Sequence, residues 1–152
     1  PGPIDFKRVM ERESGLELDT YFQYMLNSTH HVDVAITAVR VTEDSTFIDL
    51  ERMGKLPLPV DLRISAADGQ VMDHHIPQVV TQGHRPLAEG ETLLPVWPWT
   101  HPTYTVALAG SMPGCTVEVD AAKWTADADR SNNRVELSSG VLQEWRREGG
   151  NR

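Results

Sequence analysis

From His31 onward the apolar residues recur at every second position, in short runs separated by turn-forming residues. This period constrains the fold more than any other feature of the chain. Val32, Val34, Ile36 and Ala38 alternate with Asp33, Ala35, Thr37 and Val39, and the run continues to Val41 before the turn Thr42-Glu43-Asp44-Ser45. Thr46 to Arg52 sets Ile48 and Leu50 against Asp49 and Glu51, and Met53-Gly54-Lys55 breaks it. Leu58, Val60, Leu62 and Ile64 share a face, and Asp68-Gly69 is a two-residue hairpin signal leading into Val71 to Ile76. Pro57 and Pro59 have no N–H to donate, which puts the start of that strand at a sheet edge or outside the ladder. Pro77 to Pro102 is less regular and holds one or two strands around Leu93, Leu94 and Val96. Thr103 to Ala109 and Thr116 to Asp120 form a further hairpin, and Val135 and Leu137 close a last strand. Ten prolines and eleven glycines supply turns at this spacing. The pattern predicts a mainly β chain, an immunoglobulin-like antiparallel sandwich of seven to eight strands.

Two short helices precede it. Phe6, Val9 and Met10 lie at helical spacing before Gly15, placed as a left-handed C-terminal cap. Leu18, Tyr21, Phe22, Met25 and Leu26 then line one face of a second helix, with Asp19 in its first turn. Helices this short draw most of their stability from packing, so that face must fold back onto the sandwich or associate with something else. The expected organisation is a helical segment over 1–30, a sandwich over 31–137 and a tail over 138–152 with a frayed helix from Val141 to Arg147. The start at Pro1-Gly2-Pro3, with neither an initiator Met nor a basic-then-apolar leader, reads as a piece of a longer protein.

Lys and Arg total 14 against 22 acidic residues, a net charge of −8, so the chain lacks the electrostatic footprint of a nucleic-acid binder. No apolar run approaches the ~18 residues of a membrane span. Cys115 is the single cysteine and cannot form an internal disulfide.

Three constellations invite chemistry. The pairs His30-His31 and His74-His75, with Asp73 beside the second, suggest a metal, but neighbours on a strand point to opposite faces and neither pair can chelate one ion. Structural histidines are the favoured reading. Asp127, Asp129, Ser131 and Asn133 alternate like calcium-loop ligands. Asn132 stands where a glycine is needed, Ser138 replaces the bidentate Glu and Arg130 adds positive charge, which favours a turn whose side chains cap its own backbone. Trp97, Trp99, Tyr104 and Trp124 would suit a saccharide platform, although large aromatics serve cores and interfaces more often, and Pro95, Pro98 and Pro102 stiffen the strap for packing. H-E-x-x-H, C-x-x-C and G-x-S-x-G are all absent, and Cys115 has no activating base near it in sequence.

Four segments carry a resemblance: Ser14-Gly15-Leu16-Glu17-Leu18 with Tyr21-Phe22-Gln23-Tyr24-Met25; Glu51 to Leu62, of the form E-R-x-G-x-x-P-x-P; Trp97-Pro98-Trp99-Thr100-His101-Pro102-Thr103-Tyr104; and Ala126 to Asn133, ending D-R-x-N-N. Together, over about residues 13–133, they resemble the C-terminal part of bacterial zinc metallopeptidases of the aminopeptidase N family, in which the last helices of the catalytic domain lead directly into a β-sandwich. The resemblance implies a zinc-binding catalytic domain upstream, with a Glu general base activating water against a peptide amide near the substrate's amino terminus. The H-E-x-x-H helix, its downstream Glu ligand and the G-x-M-E-N loop are not in this sequence. No catalytic, cofactor-binding or metal-binding residue is therefore carried over onto it, and no cofactor is expected in this segment itself.

The expected function is a non-catalytic accessory sandwich buttressing that catalytic domain. Its expected partners are the catalytic domain of the same parent chain, peptides as the parent's substrate, and a second copy through the N-terminal helices. An independent carbohydrate- or protein-binding module is the alternative, and calcium binding by residues 126–133 stays open.

Overall fold

A computed structural model describes residues 2–139 and 143–148. Helix α1 (Pro3–Ser14) starts with proline at its first position and ends on Gly15 at φ 70°, the left-handed cap that a residue without Cβ adopts most cheaply. Helix α2 (Asp19–Asn27) follows after a short elbow in which the Leu18 N–H donates to the Glu11 carboxylate at 3.0 Å. Phe6 and Phe22 meet edge to face at 6.2 Å, and the Glu17 N–H donates to the Thr81 carbonyl at 2.9 Å, tying the elbow to the sandwich.

Nine strands follow among the described residues. They are β1 (Val34–Val41), β2 (Ser45–Arg52), β3 (Val60–Ser65), β4 (Val71–Ile76), β5 (Thr92–Leu93), β6 (Thr103–Ala109), β7 (Thr116–Val119), β8 (Arg134–Glu136) and β9 (Gln143–Arg146). They form two sheets, in the orders β6-β2-β1-β9 and β5-β4-β3-β7-β8. Ile36, Val39, Ile48, Leu50 and Val106 from the first sheet meet Leu62, Ile64, Ile76, Val117 and Val135 from the second in one buried cluster. Each such side chain contributes about 1.5–3 kcal/mol on burial. This is the β-sandwich with two N-terminal helices that the alternation predicts, and β3 begins after Pro57 and Pro59, as their missing donors require.

Four details differ from the sequence reading. Residues 143–146 are a strand, not a frayed helix; Val141 and Leu142 of that expected helix lie outside the described residues. Trp145 turns inward onto the core while Glu144 and Arg146 stay exposed, and β9 pairs with β1, so the sandwich continues past residue 137 and reaches nine strands rather than seven or eight. The sheets are not wholly antiparallel, because the two-residue β5 pairs parallel with β4. In β1 a bulge at Thr37 follows the Ile36–Leu50 pair and precedes Ala38–Asp49, so Val39 rather than Ala38 continues the core-facing set. The β3–β4 hairpin closes with the Ala66 N–H on the Gln70 carbonyl, 2.8 Å, and Gly69 at φ 92°, a loop one residue longer than a two-residue turn.

Candidate functional site

The segments that carry the motifs converge on the junction where the helices enter the sandwich. The Met53 and Gly54 N–H groups donate to the Asp33 carbonyl at 2.8 and 3.0 Å, and the Leu56 N–H to the His31 carbonyl at 3.2 Å. Gly54 is required for this approach, since a Cβ there would lie 2.3 Å from the His31 oxygen and 2.7 Å from the Asp33 nitrogen. From the other side, Asp127 Oδ2 accepts from the Val34 N–H at 3.1 Å, the Ala128 N–H donates to the Val32 carbonyl at 2.9 Å, and the Asn132 amide donates to Asp33 Oδ1 at 2.8 Å. Residues 31–34 are thus clamped from two directions.

The calcium-like loop spends its oxygens on this work. Asp127 Oδ1 accepts from the Asp129 N–H, and Asp129 Oδ1 accepts from both the N–H and the hydroxyl of Ser131, which is the self-capping turn. Ser131 lies exposed and Asn133 buried. Arg130 is held by Asp120 at 3.2 Å, whose carboxylate also accepts the Trp124 and Thr125 N–H groups. The tryptophan strap does not form one platform: Trp97 is fully buried, stacks on Tyr104 at 5.3 Å and donates from Nε1 to the His101 carbonyl at 2.8 Å. The Arg52 guanidinium covers Trp97 at 5.8 Å and donates to the Trp99 carbonyl, while Trp99 and Trp124 stay exposed at separate places.

The two histidine pairs split as strand geometry demands. His30 packs at a tilt against the Tyr24 ring, 5.0 Å between centroids, and His31 is exposed. His74 faces inward between Met72 and Ile76; neither ring nitrogen has a hydrogen-bond partner, and burial pushes its pKa down, with Asp73 and Glu91 opposing. His75 faces outward and is only 3% exposed.

Around His75 the structure assembles a cluster that the sequence reading did not single out. Asp61 is its register partner on β3, and His75 Nδ1 lies 2.6 Å from Asp61 Oδ1. A carboxylate only accepts, so Nδ1 is the donor in this bond, while Nε2 is buried without a partner. Arg85 reaches in from the loop before β5, donating to Asp61 at 3.0 Å and to Glu91 at 2.5 and 2.7 Å. The Arg85 bonds and the Ala88 N–H hold the Glu91 carboxyl below the usual carboxylate range, against the effect of burial. One ligand atom each from Asp61, His75 and Glu91 lies within 4.8 Å of the other two. Beside them opens an apolar cavity of about 180 Å³, walled in part by Leu16, Val34, Val60 and Trp124.

The helices show a third feature. Neither contains a fully buried residue, and Ile4, Phe6, Val9, Met10, Met25 and Leu26 are exposed, Leu26 at 66%. Among the described residues no helix is long and apolar enough to cross a membrane. No protein-family model matches this chain, and neither a curated protein nor a solved structure matches it.

Proposed function

We propose that the chain is a non-catalytic accessory module, a β-sandwich rigidly coupled to a helical pair that buttresses a metallopeptidase-type catalytic domain of the same protein. The observation that carries the reading is the apolar face of α1 and α2, uncovered along Phe6, Val9, Met10, Met25 and Leu26 while the sandwich behind it is a complete two-sheet core. A large exposed apolar patch on an otherwise closed fold is an association surface. The clamp on residues 31–34 supports the same role, because a buttress must transmit orientation, and three of the four segments that resemble the peptidase family lie around that junction or in the adjoining core. The fourth, Ser14 to Met25, is the helical elbow itself.

The test is turnover. Incubated with zinc and a panel of aminoacyl amides, the chain should show no metal-dependent hydrolysis above the buffer rate. Sustained hydrolysis that a chelator abolishes would overturn the reading.

A further inference from the structure

We propose that the free edge of β6 is a docking site for an extended, basic peptide segment, taken up as a fifth strand of the β6-β2-β1-β9 sheet. This surface is separate from the helical face, so the two readings stand or fall independently. Three observations carry it.

The first is the direction of the β6 backbone. The Arg52 N–H donates to the Pro102 carbonyl at 2.8 Å, and the Gly110 N–H donates to the Asp44 carbonyl at 2.7 Å. Between them the register runs unbroken from Glu51–Thr103 to Ser45–Ala109. Bonded pairs alternate in an antiparallel ladder, so Tyr104, Val106 and Leu108 bond to β2 while Thr103, Thr105, Ala107 and Ala109 turn their N–H and C=O groups the other way. β6 ends the sheet order, and among the described residues nothing pairs with that side. Such a row of alternating donors and acceptors is complemented along its length by another strand. Sheets guard their edges with lysine, proline, bulges or short strands. The seven residues of β6 contain no charge and no proline, and its outward side chains are threonine and alanine. The other edge strands, β5, β8 and β9, span two, three and four residues, and the last two carry Arg and Glu.

The second is the groove beside this edge. At one end of β6 the tryptophan strap packs against the strand, with Tyr104 stacked on Trp97 and its hydroxyl donating to the Pro95 carbonyl at 2.6 Å. At the other end an open groove of about 510 Å³ runs from the β3–β4 hairpin to Ala109, lined by Met72 and Met112. An inward side chain of an added strand, opposite Leu108, would lie over these methionines, whose flexible thioethers fit apolar groups of varied shape.

The third is charge. Glu51 stands opposite Thr103, Glu43 and Asp44 lie in the turn that binds Gly110, and Asp68 lines the groove. Among the described residues none of these four carboxylates has an ion-pair partner. The cations of the neighbouring strands are committed elsewhere: Arg40 to Asp49, Arg63 to Asp73, and Arg52 to the Trp99 and His101 carbonyls. An acidic margin around an uncharged edge selects a strand that carries lysine or arginine beside its apolar residues. It disfavours a second copy of this chain, which would bring two such margins together at a net charge of −8 each.

The probe is a fluorescein-labelled eight-residue peptide alternating lysine and valine, titrated into the full chain and read by fluorescence anisotropy. Saturable one-to-one binding is expected, at least about tenfold tighter than for a glutamate–valine peptide of the same length. Ala107→Pro removes an outward N–H without touching the bonds to β2, so it should keep the fold and lose about tenfold in affinity, the worth of one or two hydrogen bonds. Ala107→Val, which keeps the N–H, should bind as wild type does. Absence of saturable binding overturns the proposal, as does equal binding of the two peptides or unchanged binding by a folded Ala107→Pro. So does an Ala107→Pro chain that sediments, without peptide, as a smaller species than wild type, because the edge would then pair with a second copy. Should Ala107→Pro fail to fold, Ala109→Pro, at the strand end, decides in its place.

Discussion

Gly54→Ala is the sharpest perturbation of the junction. The added methyl would sit 2.3 Å from the His31 oxygen and 2.7 Å from the Asp33 nitrogen, both backbone atoms that no rotamer change can move aside. The strand exit must therefore back away, and three hydrogen bonds span the same gap: Met53 and Gly54 to Asp33, and Leu56 to His31. Losing two or three of them at a net ~1 kcal/mol each, together with the strain of overpacking, puts the cost at about 3 kcal/mol. For a domain of this size that lowers the melting temperature by about 6–12 °C. Circular dichroism on heating measures it, with Gly69→Ala as the comparison. Gly69 has nothing within 4 Å of a built Cβ and only its φ of 92° to resist substitution, so it should cost roughly 1–2 kcal/mol. A Gly54→Ala protein melting no lower than Gly69→Ala would refute the argument that residues 31–34 are locked by close backbone approach.

Two further outcomes follow from buried titratable groups. Burial depresses the His74 pKa below the ordinary histidine value of 6.5, so the unfolded chain binds the proton more readily; stability is full above about pH 6.5 and falls as pH drops through the window below it. His74→Leu, which removes two unpartnered nitrogens from a core-facing position, should be at least as stable as wild type at pH 7 and should flatten that part of the pH profile in urea titrations. Burial also pushes the Cys115 thiol up, and its side chain is fully covered. A thiol reagent should leave the native chain unmodified at neutral pH and react with one equivalent once urea unfolds it.

What was legible in the sequence depended on how local the signal was. Gly15 and the two proline positions before β3 act through their own backbone, and each does in the fold what its chemistry dictates. The alternation in β2 and β3 is long enough to fix both element and face. In Gln143 to Arg146 it is four residues long, mostly charged or polar, with Trp145 its one apolar residue, too little to tell a strand from a frayed helical turn. The bulge at Thr37 leaves no mark on composition; only the register against β2 reveals it. The Asp61–His75–Glu91 cluster was missed for a related reason. Asp61 and His75 face each other because the hairpin loop closes at Ala66 and Gln70. Reading Asp68-Gly69 as a two-residue turn slips the register by one and sends His75 to the wrong partner. Glu91 then arrives through the short parallel β5 contact, which periodicity does not announce. The resemblance to peptidase segments pointed instead to Trp97, Gly54 and Asn132, whose work is packing and clamping.

Sedimentation velocity of the isolated chain over a wide concentration range, compared with a Met25→Lys/Leu26→Lys double variant, tests the docking face most directly. Both side chains point away from the sandwich core and are more than half exposed, so the variant should keep the wild-type melting temperature. With no catalytic domain to cover it, the wild-type helical face should drive reversible, concentration-dependent association that the two lysines abolish. A wild-type chain that sediments as a monomer at every concentration, or association that persists unchanged in the double variant, would contradict the account.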